Sequence, residues 1–221
     1  VDAYLPPYQP SFRIPGYTYK LYADYPPEEV GYRMDRFDDF MKARYLQHKQ
    51  ESQAVETALR VNREFQTLFN RGYLPVEAYK CEDAEVVVVM VGSAVGTGRF
   101  VVDRMREQGH QVGLVKIKMF RPFPRELVRK ALKGRKKIAV IERDLSVGQC
   151  GIFHQEIKWA LNTTVDHQFT PIYGFIAGLG GLDITPELIE KAIQFTINEN
   201  PPQQEILWLG LNQGEITKEY Q

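Results

Sequence analysis

Three glycines, Gly92, Gly96 and Gly98, follow the apolar run in "EVVVVMVGSAVGTGRF" (85–100). A strand that enters a glycine-rich turn and then a helix is how many nucleotide sites begin, because free backbone amides at the helix start attract phosphate. The spacing here is G-x-x-x-G-x-G. The dinucleotide fingerprint is G-x-G-x-x-G, and a phosphate-binding P-loop ends in Gly-Lys followed by Ser or Thr. Neither is present and no lysine follows, so the spacing favours a packing role, with anion binding as the alternative. On the packing reading, alanine at Gly96 or Gly98 should destabilise the domain. A second turn, "FIAGLGGLDITPE" (175–187), sets Gly178, Gly180 and Gly181 between a strand and a helix. These glycines either approach a ligand closely or serve positive-φ positions ahead of a Thr185 cap. Asp183 is either a carboxylate ligand or a local acceptor for backbone amides.

A third cluster is "ERDLSVGQCGIFHQE" (142–156). Glu142, Arg143 and Asp144 close an expected strand, at the edge where open α/β sheets bind ligands. Cys150 and His154 stand four apart, within reach of one helical turn, where an imidazole can activate a thiol. Nothing nearby completes a triad or a metal set. Ser146 lacks the G-x-S-x-G elbow, and His48, His110 and His167 are isolated, with no zinc spacing. The segment "RELVRKALKGRKK" (125–137) carries seven cations. Such charges suit the outer face and last turn of a helix; a docking patch for an acidic partner is the sharper reading.

The elements that must position these residues follow from periodicity. Strands are expected at 85–91, 111–120, 136–142 and 171–177, and helices at 97–108, 124–133, 151–162 and 186–198. The tail "EILWLGLNQ" (205–213) adds a last strand. Continuous apolar strands between helices imply an α/β domain over 81–199 with a mostly parallel sheet covered on both faces. Pro124 suits a first helical turn, Gly109 and Gly134 suit helix ends, and Thr185-Pro186 is a cap followed by a first-turn proline. Residues 28–80 form a long helical segment. Met34, Phe37, Phe40, Met41 and Tyr45 recur at helical spacing, as do Val55, Ala58, Leu59, Phe65, Leu68 and Phe69. The polar "QHKQESQ" between them implies one helix, or two with a wet middle, ending near Arg71-Gly72. Residues 1–27 are rich in proline and tyrosine and exclude a long helix or a central strand. The rings of Tyr4, Tyr8, Phe12, Tyr17, Tyr19, Tyr22 and Tyr25 need a surface, so this stretch is expected to be an arm or interdomain linker lying on a neighbour. Residues 200–221 form a tail.

The chain has 221 residues, 43% of them hydrophobic, and 28 basic residues balance 28 acidic ones. No net field draws it to nucleic acid or to an anionic membrane. No apolar run reaches the length of a membrane span. The first residues lack the regions of a signal peptide, and a start at Val1 suggests a fragment or a processed chain. A cytoplasmic location is expected. The two cysteines, Cys81 and Cys150, cannot alone hold an iron–sulfur cluster, which takes four thiolates; two free thiols are expected.

Several motifs in order resemble one family. "VDAYLPPYQP" looks like a linker, "GSAVGT" and "FRPFP" mark a domain start, and "IAVIERDLSVGQCG" and "PIYGFIAGLGGLDIT" continue the pattern. Together they resemble the C-terminal half of the α subunit of 2-oxoacid:ferredoxin oxidoreductases, most nearly the pyruvate type. Leu182 departs from that pattern, where an arginine is expected, as does Glu142, where an aspartate is expected. The loop Val147–Cys150 is also less glycine-rich. The resemblance implies a transketolase C-terminal-like fold, a twisted sheet with one antiparallel edge strand. It implies an assembly that oxidises pyruvate, or oxalate or a branched-chain 2-oxoacid, with coenzyme A. In that assembly thiamine diphosphate, magnesium and four-iron, four-sulfur clusters are held outside this chain. Its partners would be β, γ and δ subunits or equivalent fused domains, with ferredoxin reached through other subunits. No residue of this chain is expected to be catalytic, to bind a cofactor or to ligate a metal. Two alternatives from another class remain: a non-catalytic assembly module, and a nucleotide-binding domain using Gly92–Gly98.

Overall fold

The computed structural model describes residues 37–162, 170–199 and 206–211. The arm at 1–27, His167 and most of the tail lie outside the described residues. Two compact units divide the chain, Val1–Lys49 and Gln50–Gln221.

The helical segment is two helices, α1 (Phe37–Ser52) and α2 (Ala54–Phe69). The break falls at Gln53, inside the polar "QHKQESQ". In α1, Phe40, Met41, Tyr45 and Leu46 are all exposed. In α2 the half-buried Ala54, Val55, Ala58, Leu59 and Phe65 line one stripe. Val61, Leu68 and Phe69 face outward. The stop signal lies earlier than Arg71-Gly72. Asn70 takes the left-handed conformation (φ 52°) and its N–H donates to the Gln66 carbonyl, a role its short polar side chain permits. The buried Asn62 then fixes the reversal, its Oδ1 accepting from the Tyr73 N–H.

Among the described residues the α/β domain holds six strands in the order β1-β3-β2-β4-β5-β6. They are β1 (Val76–Tyr79), β2 (Val86–Val91), β3 (Val112–Ile117), β4 (Lys137–Glu142), β5 (Ile172–Ile176) and β6 (Ile206–Trp208). The helices are α3 (Val95–Glu107), α4 (Arg125–Leu132), α5 (Ile152–Asn162) and α6 (Pro186–Asn198). Only β1 is antiparallel to its neighbour. This is the mostly parallel sheet with one antiparallel edge strand that the resemblance implied. The first strand was not read from sequence, because four residues of "VEAY" show too little pattern. β3 stops at Ile117 rather than residue 120, since the Lys118 and Met119 amides turn away to the Pro75 carbonyl.

Strand alternation separates two cores. Val86, Val88 and Met90 pack with Val101, Val102 and Met105 of α3 and Ile189, Ala192 and Ile193 of α6. Val87 and Val89 pack on the other face with Val128 and Leu132 of α4 and Ile157 of α5. Every residue from Val86 to Met90 is buried, which explains why the strand reads as an unbroken apolar run. Burying a valine or isoleucine side chain fully is worth about 1.5–3 kcal/mol.

Crossover hand follows from these faces. β2-α3-β3 steps toward β1 with α3 on the first face. β3-α4-β4 and β4-α5-β5 step toward β6 with their helices on the second face. Reversing both direction and face preserves hand, so these three connections share one hand, which the general rule makes right-handed. β5-α6-β6 also steps toward β6, but α6 lies on the face of α3. Its hand is therefore opposite to the other three.

Candidate functional site

The turns after β2, β4 and β5 lie side by side at the C-terminal edge of the sheet, because these strands are parallel neighbours. The order turns about β2, whose successors lie on opposite sides of it. In open α/β sheets that reversal is where ligands bind. The sequence candidates therefore do converge on one edge.

Taken one by one, most of them serve the fold. Gly92 adopts φ +69°, which favours glycine at the turn. Gly98 lies on the inward face of α3, and a Cβ there would meet Met90 Sδ at 2.6 Å and Leu114 Cδ1 at 2.7 Å. Gly96 does neither: its φ is ordinary and a Cβ would meet nothing within 4 Å. The expectation that both helical glycines are needed is thus corrected for Gly96. Gly178, Gly180 and Gly181 all have positive φ. At Gly178 a Cβ would meet Arg143 Nε and Ile184 Cγ1, each at 2.8 Å. The exposed Arg143 thus packs under this second turn. Thr185 caps α6, its hydroxyl accepting from the Leu188 N–H at 3.4 Å, with Pro186 in the first turn.

Glu142 and Asp144 turn inward rather than toward a ligand. Glu142 is 1% exposed. Its Oε1 accepts from the His154 N–H at 3.0 Å and its Oε2 from the Phe153 N–H at 2.6 Å. Asp144 Oδ1 accepts from the Ile152 N–H at 3.1 Å. The two carboxyls thereby cap the N-terminus of α5, whose preceding residues, Cys150 and Gly151, supply no capping oxygen. Burial, reinforced by hydrogen bonding of the protonated Glu142 to Asp144, pushes Glu142 up to about 9. Backbone donors oppose that rise without cancelling it. Gly151 makes the arrangement possible, since a Cβ there would fall 1.8 Å from Glu142 Oε1.

Cys150 and His154 are both buried, so a substrate cannot reach the thiol without opening the core. Cys81 is buried too, its Sγ donating to the Tyr79 and Leu114 carbonyls; burial pushes this thiol up. Among the described residues no group of three or more His, Cys, Asp or Glu is placed to hold a metal. The cations of 125–137 are largely spent within the chain. Arg125 stacks on Trp159 at 3.6 Å, and Arg129 donates to the Ala160 carbonyl. Arg135 donates to the Ala84 carbonyl and Lys136 pairs with Glu85. Lys137 donates to the Ile197 and Glu199 carbonyls at the end of α6. These contacts favour the structural reading of that run over a docking patch.

Facing outward on this edge are the polar Ser93, Arg143, Gln149 and Asp183 together with two large apolar side chains. Val147 is 90% exposed and Leu182 59%. The fold is an open, mostly parallel α/β sheet with helices packed on both faces. Residues 84–189 match the family described as pyruvate:ferredoxin oxidoreductase core domain II, and the domain belongs to that family. Pyruvate synthase subunit PorA of Methanothermobacter thermautotrophicus is 36% identical over 213 residues, covering 96% of this chain and 51% of that protein. The Thermotoga maritima PorA is 41% identical over 175 residues, 76% of this chain and 44% of that one. Ketoisovalerate oxidoreductase subunit VorA of Pyrococcus horikoshii is 33% identical over 215 residues, 96% of this chain and 52% of that one. The chain spans about half the length of the curated relatives it matches. No helix among the described residues is long and apolar enough to cross a membrane.

Proposed function

We propose that this chain is part of the α subunit of a thiamine diphosphate-dependent 2-oxoacid:ferredoxin oxidoreductase, acting in the coenzyme A-dependent oxidative decarboxylation of pyruvate. Its own contribution is structural: it packs subunits and holds loops at the sheet edge. The observation that carries this reading is the alignment of 96% of the chain with a pyruvate synthase subunit. Similarity to a ketoisovalerate oxidoreductase subunit over the same span keeps a branched-chain oxoacid as the second substrate reading. The thiamine cofactor and magnesium belong, on this proposal, to the rest of the assembly. The clusters belong there as well. A four-iron, four-sulfur cluster takes four thiolates, and this sequence has two cysteines, both of them buried. When bound, thiamine diphosphate supplies carbanion stabilisation; this chain's residues hold the scaffold around it.

The partners on this reading are the β, γ and δ subunits or their fused equivalents. The arm at 1–27 is proposed to cross onto one of them, because rings set among prolines stay ordered only when buried. The test is co-expression with candidate partner subunits, followed by copurification and viologen reduction with pyruvate and coenzyme A. The complex should turn over, and the purified chain alone should neither turn over nor bind thiamine diphosphate. Turnover by the chain alone would overturn the proposal. Deleting residues 1–27 should weaken association on size-exclusion chromatography more than it lowers the melting temperature of the α/β domain.

A further inference from the structure

The loop between β4 and α5 is closed across its base by two carboxyl groups. Glu142 accepts from the Phe153 and His154 amides, and Asp144 from the Ile152 amide. The carboxyls therefore meet on three consecutive amides, with Asp144 within hydrogen-bonding reach of Glu142. Two carboxylates present only acceptors, so carboxyls this close bond to each other only by sharing a proton. Between its anchors the loop is tightly turned. The Ser146 N–H donates to the Cys150 carbonyl at 3.0 Å and the Gln149 N–H to the Ser146 carbonyl at 2.9 Å. Gly148 takes φ +83°. The loop's tip, Val147, stands in water, while Glu142 and Cys150 at its base are buried. Gly151 reserves the space that the Glu142 carboxyl fills.

We infer that Glu142 and Asp144 hold one proton between them at neutral pH, and that this proton latches the 143–151 loop onto α5. The amides at the start of α5 carry roughly half a positive charge. That offsets part of one carboxylate's charge and leaves a second uncompensated. The charged or titratable groups around the pair are few. The loop itself contributes Arg143, whose guanidinium is directed to Gly178, and Cys150. α5 contributes the buried His154 ring. β5 contributes Ile176 and the Ala177 amide, which donates to the Glu142 carbonyl, and no charge.

The sign follows from linkage. Glu142 is raised in the closed state to about 9. The latch is therefore at full strength below the ordinary glutamate value of about 4.3, and is lost as pH rises through about 9. Between those limits, opening that releases one proton becomes about tenfold more favourable per pH unit.

The test is hydrogen exchange of the full chain, followed by mass spectrometry and corrected for the intrinsic pH dependence. Protection of 144–152 should fall about tenfold per pH unit between about 6 and 9 and level off above. Infrared spectra at neutral pH should show a protonated-carboxyl band. In Asp144→Asn the amide donates to an ionised Glu142 while its oxygen still accepts from Ile152. Protection should then become independent of pH over this range, and the infrared band should disappear. Glu142→Gln, whose amide donates to Asp144, should also abolish the pH dependence and serves if the first variant does not fold. pH-independent protection in the wild type would overturn the latch. So would absence of the band, or an unchanged pH dependence in whichever variant folds.

Discussion

Alanine at Gly98 and alanine at Gly96 should move stability in opposite directions, although both glycines lie in the first turns of α3. At Gly98 the new methyl would stand 2.6 Å from Met90 Sδ and 2.7 Å from Leu114 Cδ1. Comfortable contact between such atoms is about 3.5–4.0 Å, so the helix or the two side chains must give by about 1 Å. Met90 and Leu114 are buried and have little room to move. Overpacking of this kind costs about 1–3 kcal/mol. The entropy gained by replacing a helical glycine offsets about 0.5–1 kcal/mol. The net expectation is a loss of up to about 2.5 kcal/mol, and valine should lose more. At Gly96 the space is open and φ is ordinary, so only the entropy term acts and the variant should gain about 0.5–1 kcal/mol. The assay is urea unfolding of each variant at one pH, monitored by far-ultraviolet circular dichroism and tryptophan fluorescence to check that the transition is two-state. In thermal melts each kcal/mol should appear as about 2–4 °C for a unit of this size. If both variants shift equally in the same direction, the assignment of Gly98 to close packing and of Gly96 to an open helical position is wrong.

Gly151→Ala should be more damaging than Gly98→Ala, costing about 2 kcal/mol or more, because its methyl displaces the Glu142 carboxyl and takes the acceptor from two amides of α5; an unchanged melting temperature would show that the α5 cap tolerates displacement. Replacing Cys81 and Cys150 together by alanine should lower the melting temperature by a few degrees, at about 1 kcal/mol per lost core sulfur. The iron content and electron transfer of the assembled complex should stay as they were, as checked by iron analysis and viologen reduction. Asp103 is held below the usual carboxylate range by hydrogen bonding to Lys80, then to Tyr79. Its contribution is present above the ordinary aspartate value of about 3.9 and fades as pH falls through its lower folded value. The pair is substantially exposed, so Asp103→Asn should cost about 0.2–1 kcal/mol at neutral pH. The difference from wild type should shrink in acid denaturation series; a constant gap would refute it.

The sheet was legible because its strands are buried on both faces. "VVVVM" and "IAVI" carry no alternation to misread, and glycine or threonine marks the ends of their flanking helices. β1 was not, since its strand character comes from pairing with β3 rather than from its own four residues. The role of Glu142 was also hidden, although a signal existed. α5 begins after Cys150-Gly151 with no Ser, Thr, Asp or Asn beside it, so its amides had to be satisfied from elsewhere in the chain. The nearest carboxylates ahead of the helix are Glu142 and Asp144, and the glycine at 151 leaves the space that lets one in. Cys150 and His154 looked chemical because spacing is visible in sequence and burial is not.

The connection into β6 also bears on self-association. β5, "IYGFI", is wholly apolar and wholly buried, and on one side its shield is β6, three residues long. β6 is the last of the described strands in the chain and pairs with β5 alone. Without that pairing, β5 offers a flat, uncharged row of free amides and carbonyls, which is the template on which strands of separate molecules stack. The Ile206–Trp208 segment thus works as a guard rail. Chains that lose it should remain folded yet precipitate on standing, with the new contacts running edge to edge through β5.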